Sequence, residues 1–438
     1  MVAPDDPGSA VYVSFRNLPV DRRAGSRSRR AAVPRTVVLL GLTSLFTDIS
    51  SEMLTAVLPV FLVLQLGLSP AQFGLVDGLY RGVAGVSTMA AGVLSDWLRR
   101  PKLVASVGYG LSAVTRPMLL LASTAVGVAG LISVDRVGKG IRTAPRDAMI
   151  ATASHPSDLG YNFGVHRALD TIGAMLGPLV AFGVLMLVPG QFDAVFVVSA
   201  AFGFVGLAVL VLLVPGHPPS AAPRAAPTAA TAAAPSRPRL TRTDLTALLH
   251  SRAFVRRVGL AGLLTVFTVS DAFVFLALLD RDENLARVFP LLAVGLALAY
   301  TVFAVPVGRV ADRWGRMRVY LAGHVALLGV YAVVVGSLGT VATAVVALLL
   351  MGLYYAATDG VLAAAVSATL PEVSRASGLS LARTVVAVAA FVSSVGFGLL
   401  SGRWGADLAY LLMGLGLAVA VGAAVTLVRR STPPAVLP

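Results

Sequence analysis

The chain has 438 residues, of which 57% are hydrophobic and only 13% are charged, and its formal net charge is +14. Soluble globular proteins carry charge on about a quarter of their residues, so this composition excludes that class and indicates a protein that lies in lipid. The sequence contains no cysteine, which excludes disulfides and thiolate metal sites.

The predicted elements begin after a polar, arginine-rich segment. Residues 1–35 have no apolar run with a small-residue cleavage site, which predicts a disordered cytoplasmic tail and not a signal peptide. Apolar runs follow, each long enough to cross a hydrocarbon core of roughly 30 Å as a helix. They are predicted at about residues 37–66, 71–97, 102–124, 127–150, 161–188 and 194–214, and then at 257–279, 287–311, 317–337, 340–368, 379–401 and 407–428. The sequence therefore predicts an all-α membrane protein with twelve transmembrane helices in two pseudo-symmetric six-helix bundles.

A segment rich in proline and alanine separates the two sets of helices. It interrupts helices repeatedly and cannot bury a core, which is typical of a flexible linker. The predicted domains are the tail (1–35), the first bundle (36–214), a cytoplasmic linker (215–250), the second bundle (251–430) and a C-terminal tail (431–438).

Basic residues are concentrated in alternate loops. The connections at 67–70 and 123–127 contain no arginine or lysine, whereas the loop after the second helix contains Arg100 and Lys102. This asymmetry predicts that both termini are cytoplasmic. The richness in alanine, arginine, valine and glycine is typical of a bacterium, which predicts the cytoplasmic (inner) membrane as the location. The loop asymmetry also accounts for the positive charge without a nucleic-acid partner.

The fourth predicted helix carries an unusual number of charges. Asp135, Lys139, Arg142 and Arg146 are spaced by three or four residues and share one face, with Arg136 beside them. One such cation at a helix centre costs roughly 2.5–3.5 kcal/mol on insertion scales. We therefore predict that this face points to a wet cavity or to opposite charges inside the bundle.

Other predicted helices supply ionisable partners. Buried carboxylates without an adjacent base can carry protons, so we predict that one of Asp48, Glu52 and Asp271 is a proton carrier. Arg136 completes this proton-coupling set as a cation of the fourth helix with which such an acid pairs. An alternative for Arg136 is neutralisation by its neighbour Asp135.

Further charged and aromatic residues fall into two predicted groups. The predicted substrate cavity contains Arg116, Lys139, Arg142, Tyr354 and Asp359, although Tyr354 also suits a packing role. The predicted structural charge pairs are Asp77 with Arg81 and Arg167 with Asp170.

A motif at the end of the second helix recurs at the end of the eighth. The second copy reads Gly308, Asp312, Arg313, Gly315 and Arg316. The first copy keeps Gly92, Asp96 and Arg100, but it has Trp97 and Arg99 in place of the basic residue and the second glycine. The pattern Gly-x-x-x-Asp-Arg-x-Gly-Arg resembles the signature loop of the major facilitator superfamily. The resemblance implies that these residues act in gating.

Two further segments resemble motifs of the same superfamily. Arg136, Lys139 and Gly140 match its fourth-helix pattern Arg-x-x-Gln-Gly, with lysine for glutamine. The fifth helix resembles the motif of proton-coupled antiporters, but Ala181 and Phe182 replace its closing Gly-Gly. The matching positions of that motif are Gly164, Gly173, Gly177 and Pro178.

The resemblance implies a secondary active transporter that works as a monomer in the lipid bilayer. Our hypothesis is proton-coupled export of a small organic molecule by alternating access. Uptake of an organic anion by proton symport and a non-transporting receptor remain alternatives. The sequence shows no motif for an enzyme, a cofactor or a paired set of metal ligands.

Overall fold

The computed structural model describes residues 33–98, 100–216, 250–282, 285–336, 338–370 and 375–429. Within these ranges it describes only the backbone at 88–98, 156, 287, 375–377 and 428–429. Nearly all of both predicted tails and of the predicted linker lies outside the described residues. We call residues 33–216 the first half and residues 250–429 the second half.

The first half consists of long helices joined by short connections. They are α1 (Arg35–Val60, continued by a π-helical segment Phe61–Gln65), α2 (Pro70–Leu98), α3 (Pro101–Leu119), α4 (Ala125–Ala153), α5 (Leu159–Leu187) and α6 (Phe192–Ala208, continued by a π-helical segment Val209–Leu213). A single 3₁₀ turn, Pro156–Asp158, leads from α4 into α5. Proline begins α3, where its missing N–H would have no helical partner in any case.

The second half contains both continuous helices and shorter ones in close succession. They are α7 (Arg252–Val266), α8 (Asp271–Leu279), α9 (Leu285–Trp314), α10 (Arg316–Val335), α11 (Thr340–Thr358), α12 (Val361–Ser367), α13 (Arg375–Trp404) and α14 (Ala406–Arg429). Helices α7 and α8 form one broken segment, and so do α11 and α12.

Nine segments of the described chain are long and apolar enough to cross a membrane. They are Arg35–Gln65, Leu159–Leu187, Phe192–Leu213, Arg252–Leu279, Val288–Trp314, Arg316–Val335, Thr340–Ser367, Gly378–Trp404 and Ala406–Leu427. The predicted all-α, multi-pass membrane fold is confirmed. Helices α2, α3 and α4 are not among the nine, so the count of twelve spans stays a prediction.

The break between α7 and α8 is stabilised by a side chain from α10. The Tyr331 hydroxyl accepts a hydrogen bond from the Val269 N–H (2.7 Å) and donates one to the Phe267 carbonyl (2.9 Å). Ser270 caps the new helix through the Phe273 N–H. Backbone groups released inside a membrane protein need such partners. The break places Asp271 in the first turn of α8.

Close packing within the first half depends on glycine. Helix α5 packs along α1, and a Cβ added at Gly173 would lie 2.5 Å from the Leu45 carbonyl oxygen. At Gly177 the added atom would lie 2.8 Å from the Ile49 carbonyl oxygen. Helix α4 packs against both α2 and α3. Ionic side chains on α1, α4 and α5 are thereby brought together.

The two halves meet through α2 against α13 and through α5 against α9. Phe73 of α2 packs edge-on against Phe273 of α8, with ring centroids 4.9 Å apart. Phe273 in turn packs on Phe397 of α13 at 4.5 Å. These contacts lie at the end of the molecule where α2 begins, which we call the closed end. The basic loop after α2 lies at the opposite end.

Candidate functional site

The carboxylates of α1 face the cations of α4. Asp48 lies 3.5 Å from the Arg142 guanidinium, and Glu52 lies 3.8 Å from the Lys139 ammonium. Asp48 and Glu52 lie about one turn apart on α1, and Lys139 and Arg142 lie about one turn apart on α4. The two helices therefore present matching rows of opposite charge. Arg142 is buried, whereas Lys139 and Glu52 keep 37% and 27% of their side-chain surface exposed. The second pair therefore faces an accessible space.

Arg116 and Arg136 share the carboxylate of Asp135. Arg136 donates from Nε to one oxygen at 3.0 Å, and Arg116 donates to the other at 3.3 Å. Arg116 is 1% exposed and also donates to the Ser51 hydroxyl at 2.8 Å. The Arg136 guanidinium lies over the Tyr80 ring, 4.2 Å from its centroid. Asp135 thus partly neutralises both arginines.

Asp170 of α5 is a further carboxylate close to these ionic residues. It lies 3.7 Å from Arg146, which also contacts Asp147 at 3.0 Å. Its carboxyl group also interacts electrostatically with the Asp48 carboxyl group of α1. The pair with Arg167 expected from the sequence is present at 3.3 Å, but the Arg167 side chain is 77% exposed. Sequence reasoning missed the link from Asp170 to α1, because only the local partner three residues away is visible in the sequence.

We call this group of ten ionic residues the charge row. Its five carboxylates and five cations are Asp48, Glu52, Asp135, Asp147 and Asp170, and Arg116, Arg136, Lys139, Arg142 and Arg146. With every member ionised the row is formally neutral. Mutual pairing offsets the cost of burying these charges.

Two buried nitrogens of the charge row have no hydrogen-bond partner among the described residues. They are Nη1 of Arg142 and Nε of Arg116. Buried polar groups are usually satisfied, so these two nitrogens keep hydrogen-bonding capacity that the described side chains do not use. The Arg142 guanidinium is also stacked on the Tyr109 ring, 4.5 Å from its centroid.

A second ionic cluster, the cross-half cluster, joins the two halves. It contains Asp77 and Arg81 of α2, Asp271 of α8 and Ser394 of α13. Arg81 lies 3.6 Å from Asp77 and contacts Asp271 directly. The Ser394 hydroxyl donates to Asp77 at 2.6 Å. The sequence predicted a local pair and, separately, a proton-coupling Asp271, and the structure places all three ionic residues together.

The remaining predicted cavity residues lie in the second half. The ring of Tyr354 packs against those of Tyr355 and His324, with centroids 5.1 and 5.3 Å away. Asp359 ends α11, where it accepts hydrogen bonds from the Gly360 N–H at 3.1 Å and from the Tyr300 hydroxyl at 3.4 Å. Gly360 has a φ of +68°, and this conformation marks the break before α12.

The second signature loop forms the tight turn between α9 and α10. Gly315 has a φ of +97°, which favours glycine. Arg316 pairs with Asp312 at 3.7 Å and donates to the Ala364 carbonyl at 2.9 Å. Gly308 and Arg313 occupy the last turns of α9.

Less of the first signature loop is described. Gly92 and Asp96 lie on α2, where only the backbone is described, and Arg100 immediately precedes α3. On α5, Gly164 has open space around it, and Pro178 lies buried within the helix.

Comparisons with known proteins agree on one family. The model of the Major Facilitator Superfamily matches residues 40–286 and 284–438. An uncharacterized MFS-type transporter of Methanocaldococcus jannaschii is 31% identical over 375 residues, which cover 82% of this chain and 87% of that protein.

Solved structures share the fold. The nucleoside transporter NupG superimposes with a TM-score of 0.72 at 16% identity, covering 90% of this chain and 98% of that chain. A bacterial homolog of the human lysosomal transporter Spinster, in its inward-facing and unoccupied conformation, gives 0.68 at 15% identity, covering 91% and 98%. At these identities the likeness concerns the fold alone.

Proposed function

The chain belongs to the major facilitator superfamily and is a multi-pass membrane transporter, not an enzyme, and on this premise we propose that it exports a small organic molecule in exchange for protons. Transport proceeds by alternating access, in which the two halves rock around a central site. The charge row is the proposed centre of proton coupling.

The observation that carries this proposal is that Asp48 and Asp170 meet cations on neighbouring turns of α4: Asp48 lies 3.5 Å from Arg142, and Asp170 lies 3.7 Å from Arg146. The two carboxylates interact and repel each other when both are ionised, and one proton shared by the pair relieves the repulsion. Arg142 and Arg146 lie on the two sides of the pair. Because the row is otherwise balanced, one bound proton changes its net charge from zero to one positive charge.

This change of charge provides the coupling step. When the pair takes up a proton, Arg142 loses part of its attraction to Asp48 and a cationic substrate nearby is repelled. When the proton leaves, the row is neutral again and accepts the substrate. Glu52 and Asp271 pair with Lys139 and Arg81, and we assign these two carboxylates to positioning the cations rather than to carrying the proton.

The test begins with a search for a stabilising compound. Purified protein is heated with uridine, ethidium or benzoate, because a ligand that binds only the folded state raises its melting temperature. Uridine is included because NupG is a nucleoside transporter. The stabilising compound is then loaded into proteoliposomes that contain a pH-sensitive dye.

An acidic exterior should drive the compound out of the vesicles as the interior acidifies. Asp48→Asn and Asp170→Asn should each abolish this exchange and retain the thermal stabilisation. Asp193→Asn changes an exposed carboxylate at the start of α6 and should leave the exchange unchanged. Full exchange in both charge-row variants would rule the proposal out. Stabilisation without any flux in the unmodified protein would favour the receptor alternative.

A second candidate is uptake of an organic anion with protons. The buried, unpartnered nitrogens of Arg142 and Arg116 favour it, because a substrate carboxylate would satisfy them. In that case benzoate stabilises the protein, and an acidic exterior drives it into the vesicles instead of out. The direction of flow relative to the pH gradient separates the two candidates.

A further inference from the structure

A groove of about 200 Å³ opens on the surface of the second half, between α9 and α10, and residues of α11 also line it. Its walls are apolar along nearly their whole length. They are formed by Val307, Val310, Val319, Ala322, Leu353 and Ala357. The groove belongs neither to the charge row nor to the cross-half cluster.

One end of the groove carries two side chains of a different kind. Trp314, the last residue of α9, and Arg318, in the first turn of α10, both line it. Trp314 is 70% exposed. The two residues lie at the ends of the membrane spans Val288–Trp314 and Arg316–Val335. This position corresponds to the boundary between hydrocarbon and water, where tryptophan and arginine are favoured.

The charge at this end is not balanced. Arg316 is occupied by Asp312 and by the Ala364 carbonyl. Among the residues that the structure describes, Arg313 and Arg318 have no carboxylate within 4.0 Å. A positive charge at the membrane boundary next to an apolar groove is complementary to a molecule with an anionic head and a hydrocarbon chain.

We propose that this groove binds one anionic phospholipid. Its phosphate lies at Arg318 beside the Trp314 ring, and part of one acyl chain lies between α9 and α10. A free phosphate ion would leave the apolar walls empty, and a neutral lipid would leave Arg318 without a counter-charge. This proposal does not rest on the proposed transport reaction.

Tryptophan fluorescence tests the proposal, because the chain has only three tryptophans. Trp97→Phe and Trp404→Phe leave Trp314 as the single fluorophore. This protein is placed in phosphatidylcholine bilayers with small amounts of brominated phosphatidylglycerol or brominated phosphatidylcholine, both of which quench tryptophan on contact. One cation near the membrane surface should favour the anionic lipid about fivefold. Half-quenching should therefore need about fivefold less of it.

Matched variants distinguish lipid binding in the groove from a general attraction between anionic lipid and the basic protein. Arg318→Gln should remove the preference for phosphatidylglycerol, whereas Arg256→Gln, at an exposed position outside the groove, should keep it. Ala322→Phe fills the groove and should weaken quenching, and Val325→Phe, on an exposed part of the same helix, should not. Equal quenching by the two lipids, or a preference that survives Arg318→Gln, would overturn the proposal.

Discussion

At the scale of single residues, one carboxylate holds two buried arginines. Asp135 is the shared partner of Arg116 and Arg136, and all three are nearly inaccessible. Removing one member of a buried ionic group costs about 3–5 kcal/mol, because it leaves an uncompensated charge. Asp135→Asn should therefore strongly lower the melting temperature of the purified protein.

The control for this prediction is Arg167→Gln. Arg167 also pairs with an aspartate, at 3.3 Å, but its side chain is mostly exposed. Exposed ion pairs contribute about 0–1 kcal/mol, so this variant should melt close to the unmodified protein. An Asp135→Asn protein as stable as Arg167→Gln would show that the two arginines do not depend on Asp135.

Residue spacing predicted part of the charge row. Spacings of three and four on α4, and of four on α1, indicated one charged face on each helix, and the structure pairs Lys139 with Glu52 and Arg142 with Asp48. Spacing within a helix does not reveal which helices are neighbours. The interaction of Asp170 with Asp48 depends on packing between distant segments. So does the contact of Asp271 with Arg81, which are 190 residues apart.

At the scale of helices, the length of the apolar runs predicted the positions of the membrane-spanning segments but not the breaks within them. The spans expected at about 257–279 and 340–368 appeared continuous in the sequence, yet each is divided in the structure. The first break is stabilised by Tyr331, which is distant in sequence. The second break contains Gly360 with a positive φ. The sequence has 43 glycines, so the presence of this one does not by itself predict a break.

The break between α7 and α8 yields a prediction about two neighbouring tyrosines. Tyr331→Phe should leave the Val269 N–H and the Phe267 carbonyl without their partner, at a cost of about 1–3 kcal/mol. The rings of Tyr331 and Tyr410 lie 5.7 Å apart, but the buried Tyr410 hydroxyl has no hydrogen-bond partner among the described residues. Tyr410→Phe should therefore have little effect on the melting temperature. Equal losses in the two variants would contradict the role of Tyr331 at the break.

At the scale of the whole molecule, the closed end combines apolar packing with a small number of ionic contacts. The proposed alternating access requires that these contacts break, so their strength must stay limited. Arg81 and Asp271 keep 23% and 35% of their side-chain surface exposed. The pair is therefore only partly enclosed by protein, and we take its contribution as about 1 kcal/mol.

Weakening this pair should shift the population towards a state that is open at the closed end. The chain lacks cysteine, so Val395→Cys introduces a single probe on α13 where it packs against Gly78 of α2. Asp271→Asn should raise the rate of maleimide labelling at this probe roughly fivefold, as expected for a loss of about 1 kcal/mol. Asp407→Asn, at an exposed carboxylate in the first turn of α14, is the control and should leave the rate unchanged. If Asp271→Asn labels no faster than this control, apolar packing such as that of Phe73 on Phe273 holds the halves together, and Arg81 serves only to neutralise its neighbours.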